Sequence, residues 1–149
     1  MRKLESADAF IVALFSNRFR WFTTVGLQGA LALFFIFCPT KTQEWFQVPV
    51  TVEMGILYQL YGALLMFRAV MEQYVRAAAE PAWMRRYMVA GFPFNLGLAW
   101  FLGSAAWHGL MSKWIGGIFA AMAVAELVEY TIALVRWSRA VRDSETSEA

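Results

Sequence analysis

The chain has 149 residues, 60% hydrophobic and 17% aromatic, with a formal charge of only +2. Soluble domains sit nearer about 45–50% apolar, so this excess, concentrated in four blocks, predicts one all-α integral membrane domain and leaves no basis for nucleic-acid binding. A single cysteine, Cys38, and a single histidine, His108, exclude an intrachain disulfide, bis-histidine haem, a Cys-x-x-Cys redox pair and any metal site built from several such ligands.

Residues 1–20 place Leu4, Ala7, Ile11, Leu14, Phe15 and Phe19 at helical spacing, with Glu5, Asp8, Asn17, Arg18 and Arg20 mostly off that face. That pattern predicts an amphipathic helix lying in the membrane interface. Met1-Arg2-Lys3 opens like a signal peptide, but Glu5 and Asp8 interrupt it, the apolar run Ala9–Phe15 is short, and no small-x-small site follows; cleavage is not expected. Residues 21–38 are uncharged and form the first predicted span, stopped by Pro39. Residues 39–53 are expected to be a loop whose Trp45 and Phe46 suit the headgroup region. The second span is placed at 54–75, a polar turn containing Pro81 at 76–86, the third span at 87–108, a tight turn at 109–113, and the fourth span at 114–137. Residues 138–149 form a tail whose acidic end, from Asp143, is expected to be disordered.

Lys and Arg set the orientation. Arg2, Lys3, Arg18, Arg20, Arg76, Arg85, Arg86, Arg136, Arg139 and Arg142 fall on one side of this layout, against Lys41 and Lys113 on the other. The positive-inside rule then puts both termini in the cytoplasm. Small residues recur at four-residue steps in Gly26/Ala30, Gly116/Ala120 and Gly117/Ala121/Ala125, a spacing that lets helix backbones approach closely.

Arg68 and Glu72 lie within the second span, and Glu126 and Glu129 within the fourth. A charge at the bilayer centre costs roughly 2.5–3.5 kcal/mol on insertion scales, so these four must be paired, neutralised or used. Each pair shares one helix face. With about 1.5 Å of rise per residue, Arg68 and Glu129 fall at one depth, Glu126 close to the midplane and Glu72 deeper towards the cytoplasm. Asn95 in the third span and Gln28 in the first join the same slab. Arg68 is expected to pair with Glu129 or Glu72. Three carboxylates against one guanidinium leave surplus acid, and Glu126, nearest the midplane, is the expected protonated carboxyl. Pro93 cannot donate to Val89 and is expected to loosen the third span beside Asn95. Tyr58 and Tyr61 are candidates to face a cavity in the outer half. Cys38 is expected to be a buried small hydrophobe and His108 an interfacial residue.

The layout resembles the small four-helix bacterial membrane proteins of the DoxX-like type. The resemblance rests on Phe37-Cys38-Pro39 closing the first span, on the loop motif Trp45-Phe46-Gln47-Val48-Pro49, on Leu57-Tyr58-Gln59-Leu60-Tyr61-Gly62-Ala63-Leu64-Leu65, and on Asn95-Leu96-Gly97-Leu98-Ala99. It implies a four-helix bundle in the bacterial inner membrane and, because some members are accessory subunits of quinone-linked oxidoreductases, an accessory role. It assigns no role to Arg68, Glu126 or Glu129.

No nucleophile–base set is present, which argues against an enzyme. The leading expectation is therefore a non-enzymatic accessory or assembly subunit, partnered by lipid and by other membrane subunits or further copies of itself. The alternative is a small proton- or cation-coupled transporter using Glu126 and Glu129. No cofactor is indicated; lipid, quinone or pigment are the candidates for any aromatic-lined pocket.

Overall fold

A computed structural model of the chain describes residues 2–109 and 111–148, and every regular element among them is helical. Four helices are long and apolar enough to cross a membrane: Arg18–Phe37, Val52–Ala78, Pro81–Trp107 and Lys113–Thr146. We label the elements α1 (Arg2–Ser16), α2 (Arg18–Phe37), α3 (Pro39–Phe46), α4 (Val52–Ala78), α5 (Pro81–Trp107) and α6 (Lys113–Glu148).

Local chemistry sets most of these limits. The Asn17 side chain caps α2 by accepting from Phe19 N at 2.8 Å, and Thr51 caps α4 by accepting from Met54 N at 3.2 Å, so each satisfies an otherwise orphaned donor. Pro39 and Pro81 occupy the first turns of α3 and α5, where their missing N–H is not needed. α4 ends on Ala79 in the left-handed region, φ 52°. Pro93 sits inside α5, which nevertheless runs unbroken to Trp107.

Several sequence boundaries move. The expected loop 39–53 contains helix α3, whose Thr42, Gln43 and Phe46 are buried. Gln43 holds the rest of that connection in place: its Oε1 accepts from Thr51 N at 2.8 Å and its Nε2 donates to Pro39 O at 3.2 Å. The turn expected over 76–86 shrinks to Ala79 and Glu80. α6 continues through Glu148, where the acidic end from Asp143 was expected to be disordered. Cys38 is exposed rather than buried, because it lies at the break between α2 and α3.

α2 packs along α4, and α5 along α6, while α4 and α5 touch each other less. Two close approaches hold these pairs. A Cβ on Gly62 would stand 2.9 Å from Ala32 O and 2.9 Å from Phe35 Cβ. A Cβ on Gly116 would stand 2.7 Å from Ala106 Cβ. Of the small-residue steps in the sequence, Gly116 therefore makes a contact inside the chain, whereas Gly117 has nothing within 4 Å. α1 lies against α5 and α6 with Ala7, Ile11 and Phe15 buried. At the opposite end, Phe46 of α3 packs against Phe35, Tyr58 and Phe119, and its carbonyl accepts from Ser112 N at 3.1 Å.

Candidate functional site

The buried charges form two clusters rather than one slab. In the first, Arg68 of α4 reaches across to α5 and α6. Its Nη1 donates to Asn95 Oδ1 at 2.9 Å, its Nη2 pairs with Glu126 Oε2, and Asn95 Nδ2 donates to the same Glu126 oxygen at 3.0 Å. The Phe94 ring lies 5.4 Å from the guanidinium carbon. Asn95 is fully buried and Arg68 nearly so. Three helices thus close a triangle of charge-assisted hydrogen bonds, the strong class.

The second cluster is built on Arg20, a residue that sequence reasoning assigned to the interfacial segment. Arg20 Nε donates to Glu72 Oε1 at 3.0 Å, Nη1 to Glu129 Oε2 at 2.7 Å, and Nη2 to the Tyr130 hydroxyl at 3.0 Å. Glu72, fully buried, also accepts from Thr24 Oγ1 at 2.8 Å and from the Tyr87 hydroxyl at 3.1 Å. The rings of Phe15 and Tyr130 flank the guanidinium at 4.9 and 5.3 Å. Residues of all five long helices, α1, α2, α4, α5 and α6, meet here.

The backbone of α2 helps to aim this cluster. Residues Trp21–Leu27 are wound as a π-helix, a wider turn that occurs frequently at functional sites. Arg20 and Thr24 are buried, and the partly buried Gln28 follows four residues further on. Thr24 Oγ1 also bonds back to Arg20 O at 2.7 Å.

The sequence-predicted residues therefore divide. Arg68, Asn95 and Glu126 come together as one group. Glu72 and Glu129 belong to the Arg20 group, which corrects the expected pairing of Arg68 with Glu129 or Glu72. The reason is helical phase. Glu129 lies three residues beyond Glu126, about 4.5 Å further along α6 and turned off its line, and so reaches Arg20. Glu126, expected to be left over, takes Arg68 instead. The surplus also falls, because two guanidiniums now face three carboxylates. Gln28 lines the wall beside the first cluster without bonding to it, and its Oε1 is buried with no donor. Arg20, Thr24, Tyr87 and Tyr130 were missed by the sequence reading. The four-residue steps from Arg20 through Thr24 to Gln28, leading into buried Leu31 and Phe35, were the available signal.

A cavity of about 30 Å³ lies beside Arg68 and Glu126, room for a water-sized occupant. Gln28 and Tyr61 line it with Leu31, Phe35, Leu98 and Phe119; Tyr61 thus faces a cavity that reaches the Arg68 cluster, while Tyr58 packs on Phe35 and Phe46. Among the described residues no three His, Cys, Asp or Glu side chains converge as metal ligands. Comparisons with family models, with curated proteins and with solved structures find no match to the chain.

Proposed function

We propose that this chain is a non-enzymatic accessory subunit of a bacterial inner-membrane complex, with both termini cytoplasmic, that docks a partner helix along α6. The observation that carries the reading is Glu129. It pairs with Arg20, yet its side chain remains 47% exposed, on a helix apolar enough to cross a membrane. A half-bare carboxylate facing hydrocarbon is costly. On the same line, at four-residue intervals, stand Gly117, Ala121 and Ala125, all exposed. Small residues at that spacing admit a second helix, and a Lys, Arg or other donor on it would complete Glu129. The DoxX-like resemblance points to the same role.

Extraction in mild detergent tests this. A stoichiometric partner, or a second copy of the chain, is expected to co-purify, and to be lost from Gly117→Leu and Ala121→Phe variants whose unfolding midpoints match the parent. Recovery of the unaltered chain as a lone monomer would overturn the reading.

The cavity beside Glu126 favours a second reading, a small proton- or cation-coupled transporter using Glu126 and Glu129. The unpartnered Gln28 Oε1 and the Glu126 carboxylate together offer acceptors to a small donor at that spot. Under this reading Glu126→Gln abolishes cation-driven uptake in proteoliposomes; unchanged uptake of every tested cation removes it.

A further inference from the structure

We propose that the cleft between α4 and α5 holds one anionic phospholipid, with an acyl chain along the cleft and the phosphate on Arg86. The two helices leave the Ala79–Glu80 turn and make far less contact with each other than either makes with its other neighbour. The cleft between them has a volume of about 450 Å³, with Leu64, Phe67 and Met71 on one wall and Trp83, Ala90 and Phe94 on the other. From Trp83 to Phe94 it extends about 16 Å along the helix axis. One leaflet of a bilayer is about 15 Å of hydrocarbon deep, half of the ~30 Å core. The cleft therefore has the length and the apolar lining of one acyl chain.

Its charged groups select the headgroup. Arg86 stands exposed at the turn end of the cleft, its guanidinium carbon 5.4 Å from the Trp83 ring. Among the described residues no carboxylate pairs with it. Arg68, on the cleft floor, is already engaged by Asn95 and Glu126 and presents no free charge there. An unpaired cation at the mouth of an apolar slot is complementary to an anionic headgroup above a chain, the arrangement by which basic pockets between spans bind anionic lipid. An interfacial tryptophan beside the headgroup suits the same depth. The inference needs only that α4 and α5 cross the bilayer, and stands whether or not α6 docks a partner.

Native mass spectrometry of the purified chain, exchanged into detergent with equimolar phosphatidylglycerol and phosphatidylcholine, tests it. One phosphatidylglycerol per chain is expected, preferred roughly fivefold, the effect of one basic residue near an anionic headgroup. Arg86→Gln should bring that preference close to one while leaving a lipid bound. Ala90→Trp fills the slot and should remove both lipids; Leu64→Trp, from the facing wall, does the same if the first variant fails to fold. Equal retention of the two lipids by the parent chain overturns the proposal, as does an unchanged preference in Arg86→Gln or a lipid still held by both Trp variants. So does a parent dimer that either Trp variant splits, since the cleft then holds a second copy.

Discussion

The two ends of this bundle are held together by different forces. Around α3, Phe35 meets Phe46 and Tyr58 edge-on at ring separations of 5.5 and 5.6 Å, and Phe46 stacks on Phe119 at 6.1 Å. Gly62 and Gly116 bring backbones close on either side of that aromatic group. Around Arg20, by contrast, a guanidinium and the Glu72 carboxylate are buried among Thr24, Tyr87 and Tyr130, with the half-exposed Glu129 at the edge. Helices surrounded by lipid gain little from burying apolar area, since lipid tails are as apolar as leucine. What remains is close steric fit or polar pairing. The first end relies on fit; the second relies on charges whose alternative is to stand bare in hydrocarbon. The two ends should therefore fail in different ways.

Removing Arg20 gives the largest expected effect. Arg20→Met leaves Glu72 buried without a cation, and about 3–5 kcal/mol should be lost in reversible detergent unfolding. Removing both partners should cost less than removing one. Arg20→Met with Glu72→Leu is expected to unfold closer to the parent than Arg20→Met alone, and a double variant no better than the single would erase the distinction between the ends. Overpacking the aromatic end comes next. Gly116→Ala puts a methyl against Ala106 and Met111 and should cost about 1–3 kcal/mol by the same measurement. Asn95→Leu, which strips one bond each from Arg68 and Glu126, should cost a similar amount, about 1–3 kcal/mol. Smallest of all, Gly97→Ala meets nothing within 4 Å and should change stability by no more than about 0.5 kcal/mol. If Gly97→Ala and Gly116→Ala prove equal, steric fit is not what holds the aromatic end.

Particular residues explain which parts were legible in the sequence. The four long helices were readable because an apolar run of this length has few other folds. Asn95, Arg68 and Glu126 were readable as members of one polar slab because rise per residue fixes depth, but not as one another's partners. Depth pointed to Glu129 as the partner of Arg68, and depth alone does not fix azimuth, so the choice of partner was lost. Arg20 was lost for another reason: with Asn17 and Arg18 just before it, it looked like the end of a solvated segment. The cap at Asn17 in fact starts a new helix that carries Arg20 inward. Helix α3 was hidden because its polar residues Thr42 and Gln43 are buried through their own hydrogen bonds, a fate their types do not advertise.

The Arg20 junction also has a consequence for biogenesis. Its guanidinium is satisfied by groups 52, 109 and 110 residues further along the chain. While the ribosome is still making α6, Arg20 has only part of its complement, and Glu72 has met its cation without the Glu129 and Tyr130 contacts that hold that cation in place. The final helix is thus the one that closes the circuit. A chain lacking α6 would therefore keep Arg20 without two of its three side-chain acceptors.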